Sequence, residues 1–171
     1  MPSERRIDGL LIRPVRVEDV PALNELRRLP SVLQYTLALP SERISDSARF
    51  IESLGPNDHQ MVAEVNGRVV GTAGMKVFTG KMRHVGHLGI CVHDDFQNQG
   101  LGRALLEALL NLADNYLNLV RVELEVNVDN ARAIHLYESL GFEREGLKRM
   151  AVFSAGRYTD FLIMGRIRPA Q

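Results

Sequence analysis

Hydrophobic residues along this chain keep two rhythms. Between 120 and 126 they alternate with charge. Val120, Val122, Leu124 and Val126 face one way and Arg121, Glu123 and Glu125 the other, which predicts a half-buried strand. After residue 100 the spacing becomes helical. Gly102, Leu105, Leu106, Leu109, Ala113, Tyr116 and Leu117 fall on one face, with Arg103, Glu107, Asn111, Asp114 and Asn118 opposite. The unbroken run Leu88-Gly89-Ile90-Cys91-Val92 before it predicts a buried strand. Gln97-Asn98-Gln99-Gly100-Leu101-Gly102 forms the turn between strand and helix.

The remaining elements follow from the same patterns. Leu10 to Val15 predicts a first strand. Val17-Glu18-Asp19 starts a helix that tolerates Pro21 in its first turn and turns Val20, Leu23 and Leu26-Leu29 inward. Residues 30 to 43 carry Pro30 and Pro40 and read as a loop with at most one helical turn. Ser45 to Leu54 is a short helix, capped by Ser45 or Asp46 and stopped at Gly55-Pro56. Met61 to Val65 and Arg68 to Gly71 flank Asn66-Gly67, the dipeptide suited to a type I′ hairpin. That second arm continues to Phe78, and His84 to Val92 is the next strand. Asp129 or Asn130 caps another helix, which Gly141 ends. Arg149 to Phe153 and Tyr158 to Ile167 close the chain as a hairpin. The order β-α-α-β-β-β-α-β-α-β-β implies an α/β (α+β) fold. Its core would be a mixed, mostly antiparallel central sheet of about seven strands, flanked by helices on both faces.

Composition narrows the function. With 171 residues the chain fits one domain, 1–171, large enough for a core without staples. Lys+Arg and Asp+Glu are both 21, so the net charge is zero, which argues against binding nucleic acid or a membrane surface. A single cysteine excludes an internal disulfide and a thiolate zinc site, and no metal is expected. No apolar stretch follows Met1-Pro2-Ser3-Glu4-Arg5-Arg6, so no signal peptide and a cytoplasmic location are expected.

The strand, glycine turn and helix aim free backbone N–H groups and the positive end of a helix dipole at one point. That suits an anion such as a phosphate. A Walker loop would need Lys-Ser or Lys-Thr after the glycines, and neither is present. A dinucleotide loop fits better, because Gly100 and Gly102 are two of its three glycines and Glu123 lies where a ribose-binding acid belongs. Its third glycine position is Leu105, however, and too little chain remains for a second mononucleotide half.

Q-x-x-G-x-G between strand and helix resembles the acetyl-coenzyme A pyrophosphate loop of the GNAT superfamily of N-acetyltransferases. Asn130-Ala131-Arg132-Ala133-Ile134-His135-Leu136-Tyr137-Glu138-Ser139-Leu140-Gly141-Phe142 is similar to that family's N-x-x-A-x-x-L-Y-x-x-x-G-F segment, at the family's spacing. The resemblance spans nearly the whole chain and points toward the bacterial branch that includes L-amino-acid N-acetyltransferases. Where the family often has a proline before the Gln, this chain has His93-Asp94-Asp95-Phe96.

The resemblance implies a GNAT-like sheet and direct acetyl transfer from acetyl-CoA to an amine in a ternary complex. Gln97, Asn98, Gln99, Gly100, Leu101, Gly102 and Arg103 would hold the pyrophosphate. Backbone at Ile90, Cys91 and Val92 would pair with the pantetheine arm, the Val92 amide facing the thioester oxygen. Asn130, Ala133 and Tyr137 would line the cofactor from their helix, although Asn130 reads equally well as a plain N-cap. On spacing alone Tyr137 is a core aromatic; the family position makes it the acid that protonates the departing thiolate. Glu125 stands where some relatives of the peptide N-terminal type carry a base, and Glu123 shares its face. A solvated strand face with Arg121 as partner is the alternative for both. His84 is a further candidate base. Cys91 reads as a small buried hydrophobe rather than a nucleophile.

The expected acceptor is the α-amino group of a free L-amino acid, its carboxylate held by Arg83, Arg149, Arg157 or Tyr35. A protein N-terminus or an amine antibiotic is the alternative within the class, and a non-catalytic acyl-CoA sensor the alternative outside it. A homodimer is expected by analogy.

Overall fold

Turn chemistry sets the first hairpin. Asn66 (φ 50°) and Gly67 (φ 82°) both take the left-handed conformation that a type I′ turn demands. They join β2 (Asp58–Val65) to β3 (Arg68–Val77). The computed structural model describes residues 7–169. The N-terminal residues 1–6, for which no leader is expected, lie outside that range.

The other elements are β1 (Leu10–Pro14), α1 (Val20–Arg27), α2 (Pro30–Tyr35), α3 (Ile44–Glu52), β4 (Val85–Val92), α4 (Leu101–Asn115), β5 (Arg121–Asn127), α5 (Ala131–Ser139), β6 (Glu143–Ser154) and β7 (Arg157–Ile167). The seven strands form one sheet in the order β1-β2-β3-β4-β5-β7-β6. Every neighbouring pair is antiparallel except β4–β5, which runs parallel.

Alternation along the strands divides the sheet into two faces. On one face the leucines of α4 and Ile134 and Tyr137 of α5 pack on Val122, Leu124 and Val126 of β5, with Met75 and Leu88 beside them. On the other, Leu23 and Leu26 of α1 cover Val62 and Val69, with Cys91 and Ile51 packed against them. A buried hydrogen bond from Asn24 Nδ2 to Ser47 Oγ, 3.3 Å, fastens α3 to α1.

Arg13 of β1 ties the entry of α1 to the sheet. Its Nη1 and Nη2 donate to the Asp19 carboxylate at 2.8 Å each, and its Nε donates to Glu64 Oε2 at 2.8 Å. Both Arg13 and Asp19 are buried. The Arg13 hydrogen bonds hold the Asp19 carboxyl below its ordinary range against the opposing cost of desolvation.

Several elements differ from the expectation. Residues 30–35 form a six-residue helix, started by Pro30, where a loop is expected. α3 begins one residue before Ser45. Its N-cap is Arg43, whose N–H is taken by the Asp46 carboxylate at 2.8 Å, so Asp46 serves from inside the first turn. Tyr116 is 76% exposed, because the helix ends at Asn115 and the chain leaves helical phase; Leu101 and Leu110 are buried in the stripe instead. Val120 is likewise exposed, since β5 starts one residue later. β6 is longer than its sequence suggests. Its residues from Glu143 to Met150 are nearly all exposed and carry no alternation, so its pairing with β7 defines it.

Candidate active site

β4 and β5 pair over three rungs only: Val85 with Arg121, Gly86 with Val122 and His87 with Glu123. Past that rung each strand stays paired on its far side, β4 with β3 up to Val92 and β5 with β7 up to Asn127. The two strands therefore part, leaving a wedge in mid-sheet. Alternation along β4 fixes which groups face it. Phe78 N–H donates to Val85 O and His93 N–H to Val70 O, so odd-numbered residues of β4 bond to β3. The main-chain groups of Ile90 and Val92 consequently point into the wedge. An extended arm bearing amides could join β4 there as an added strand.

The glycine loop stands at the open end. Asn98 (φ 59°) and Gly100 (φ 86°) are left-handed, and Gly100 is the N-cap of α4. The first intrahelical bond is from Ala104 N to Gly100 O, so the amides of Leu101, Gly102 and Arg103 have no partner within the helix. Gly102 is favoured by packing. A Cβ there would sit 3.2 Å from Leu136 Cδ2, so glycine lets the start of α4 lie against α5. Leu101 turns its side chain into the core and offers only backbone. Arg103 Nη2 donates to Ser139 Oγ at 2.6 Å, linking the two helices above the loop.

The Gln97 side chain is a hub. Its Nε2 reaches Val92 O at 3.3 Å, Ser31 Oγ at 3.1 Å and Asp94 Oδ1 at 3.1 Å, while Arg132 of α5 donates to its Oε1. Gln99 Nε2 donates to Asp95 O at 2.8 Å. Asn130 Oδ1 accepts from Ala133 N at 3.2 Å, so in this structure Asn130 serves as the N-cap of α5.

Tyr137 lies on the α4–α5 face. Its ring is 5% exposed and meets Phe142 edge-on at 5.8 Å between centroids. Burial pushes its phenol above the ordinary range, so it holds its proton through neutral pH. Among the described residues no buried side-chain polar atom lacks a hydrogen-bond partner.

The carboxylates occupy the other face. Glu123 accepts from Arg121 Nε at 3.0 Å and lies 4.0 Å from His87 Nδ1; Glu125 pairs with Lys148 of β6. Cys91 is on this face too, packed against α1, and burial raises its thiol to about 11, so a reactive thiolate is not available at neutral pH.

α2 spans the mouth of the wedge on the carboxylate face. Ser31 bonds Asp94 and Gln97 at one end, and Leu33 O accepts from Ser154 Oγ of β6 at 3.3 Å toward the other. The structure thus brings together the glycine loop, Ile90, Val92, Tyr137 and, on the opposite face, Glu123 and Glu125. His84 stands at the closed end of β4, where its carbonyl accepts from Val120 and Arg121 N–H groups. Arg157 is committed to Asp129 at 2.7 Å, and Arg149 lines a surface hollow with Met150 and Asp160. His87, Ser31 and Asn127 escape the sequence reading. His87 becomes visible only through the parallel register with Glu123. Asn127 is buried, donating to Thr159 Oγ1 at 3.1 Å and accepting from Asp129 N at 3.0 Å, which shapes the turn into α5.

The site is thus a parallel strand pair that parts beside a helix N-terminus, with a phenol on one face and carboxylates on the other. The model of the Acetyltransferase (GNAT) family matches residues 23–142, and the chain belongs to that family of acetyl-CoA-dependent N-acetyltransferases. It is 34% identical over 167 residues to the L-amino acid N-acetyltransferase AaaT of Escherichia coli (strain K12), covering 93% of this chain and 98% of the relative. It is 25% identical to the spermidine N(1)-acetyltransferase of the same organism, covering 96% and 87%. The solved structure of yncA from Salmonella typhimurium with its cofactor acetyl-CoA shares the fold, with a TM-score of 0.81 at 23% identity over 94% of each chain. No described helix is long and apolar enough to cross a membrane.

Proposed function

We propose that this protein transfers the acetyl group of acetyl-CoA directly to the α-amino group of a free L-amino acid. The wedge between β4 and β5 carries the reading, because it joins a cofactor-side face to an acceptor-side face at one opening. The likeness to an L-amino acid N-acetyltransferase along nearly the whole chain supports the substrate class.

Acetyl-CoA supplies an activated thioester. The amides of Leu101, Gly102 and Arg103 hold its pyrophosphate at the positive end of α4. The N–H groups of Ile90 and Val92 align the pantetheine arm, and one of them donates to the carbonyl oxygen where negative charge develops. Glu125, with Glu123 beside it, takes the proton of the amine, directly or through water. Tyr137 keeps its phenolic proton and gives it to the departing sulfur.

On the acceptor face Glu125 pairs with Lys148, while Glu123 shares Arg121 with Glu145. A cytoplasmic homodimer without metal completes the proposal.

Release of free coenzyme A thiol, followed across free L-amino acids, short peptides, polyamines and aminoglycosides, tests it. Turnover concentrated on amino acids is expected. Turnover confined to peptides or polyamines replaces the substrate class, and cofactor binding without any acetylation points to a sensor.

A further inference from the structure

Gly89 lies in β4, between His87 and Cys91 on the acceptor face, and nothing in the fold requires it to be glycine. Its φ is outside the left-handed region. Gly71, Gly74, Gly86, Gly146 and Gly165, also within strands, each have a neighbouring atom within 4 Å of where a Cβ would stand. Gly89 has none, and it is exposed although its strand is the fourth of seven. Glycine weakens a strand interior through its entropy and its lack of packing surface. Such a residue in mid-sheet, bare on one face, marks a close approach by something else.

The surroundings of that bare spot are acceptor-side groups. His87 and Glu123 form the last rung at the closed end of the wedge. Glu125, two residues beyond Glu123 on the same face, stands across the wedge with Lys148. On the other side the row continues through Gly74, where Gln60 lies flat over the strand. We propose that Gly89 is the floor of the acceptor pocket, the surface on which the amino group and α-carbon of the acceptor rest while the thioester lies along the edge of the same strand. This rests on the acetyl-transfer reading above. It makes Gly89 a specificity-determining residue: a side chain there occupies the acceptor's position and leaves the glycine loop untouched.

Gly89→Ala and Gly89→Val test it beside the wild type. Three quantities are read: affinity for coenzyme A, affinity of the coenzyme A-loaded protein for the preferred amine by calorimetry, and KM and kcat for that amine. Gly89→Val is expected to raise the amine KM and Kd at least tenfold, with Gly89→Ala smaller in the same direction. Coenzyme A affinity should stay within twofold, and Tm should be unchanged or higher because no native contact is displaced. An amine Kd within twofold of wild type in Gly89→Val overturns the proposal. So does a loss of coenzyme A affinity equal to the loss for the amine, which would place the cofactor over Gly89. Amine binding that Gly89→Val weakens in a wild type without turnover sinks the transfer reading and keeps the pocket; a loaded wild type that binds no amine in the panel overturns the pocket.

Discussion

The two faces of this sheet are held by different physics. The face under α4 and α5 has a continuous apolar core in which Leu105, Leu106, Leu109 and Ala113 are fully buried. The face under α1 is built on four buried residues, Leu23, Leu26, Val62 and Val69, and leans on polar fasteners: the Arg13–Asp19–Glu64 cluster and the Asn24–Ser47 bond. The first face carries the glycine loop and Tyr137 and resists deformation, because close-packed interiors do not yield gradually. The second carries the groups proposed to receive the acceptor and can vary its loops without disturbing that core. A shared cofactor on one side and differing amines on the other is the division that such a structure permits.

Removing the phenol from the packed face should have the largest effect. Tyr137→Phe keeps the ring contact with Phe142 and deletes only the hydroxyl proposed to donate the proton. We expect kcat to fall by about 10²–10⁴-fold, as for loss of a general acid, with coenzyme A affinity nearly unchanged. Thiol release under saturating substrate checks this. The direction of the Tyr137 shift adds a pH prediction. A phenol raised above its ordinary value of 10.0 keeps its proton to higher pH, so any loss of rate on the alkaline side below pH 10 must belong to another group. The same alkaline limb in a residual Tyr137→Phe activity would agree; its disappearance would assign the limb to Tyr137.

Next comes the polar fastening of the acceptor face. Asp19→Ala leaves Arg13 buried without its main partner and should cost about 3–5 kcal/mol in denaturant unfolding. The Asp19 pKa is lowered on folding, so its contribution is present above the unfolded value and is lost as pH falls through the folded one. Acid unfolding should therefore begin at higher pH in the wild type than in a protein where Asp19 is already replaced, once both are scaled to their neutral-pH stability. On the packed face Leu106→Ala should cost about 2–5 kcal/mol through lost burial and the cavity left behind. Unlike Asp19→Ala, it should not alter the pH dependence.

The same contrast explains what could be read from the letters. The packed face was legible because its signals are local and periodic: the stripe of α4, the alternation of β5, Asn66-Gly67 and the glycines before α4. The acceptor face is assembled by long-range pairing. Glu123 meets His87 only through the parallel rung, and Ser31 meets Gln97 across 66 residues of chain. α2 is six residues between prolines, too short for a period to emerge, and β6 has no alternation because nearly all its side chains are exposed. Tyr116 shows the limit of periodicity itself: the stripe continues in sequence through Tyr116 and Leu117, two residues past the end of the helix at Asn115. For the cofactor loop the glycines have distinct causes. Gly100 answers to its backbone angle and Gly102 to Leu136, a difference invisible in the motif.

The smallest effect on stability, and a sharp probe of the contrast, is expected beyond α2. Leu37 is 69% exposed and Leu39 is 61% exposed, in the segment that follows the helix spanning the wedge mouth. Neither side chain supports a core, so Leu37→Ala and Leu39→Ala should change unfolding free energy by no more than about 0.5 kcal/mol. Exposed leucines on a loop that borders a binding cleft are better explained by what arrives there than by what holds the loop. The ratio of kcat/KM for a large over a small amino acid should therefore move in these variants while Tm stays still. If Tm falls by several degrees instead, the segment is part of the scaffold and the acceptor face is more firmly built than its four-residue core implies. If neither Tm nor the ratio moves, acceptor choice rests on the floor and walls of the wedge, on Gly89 and its neighbours, and the loop is only its rim.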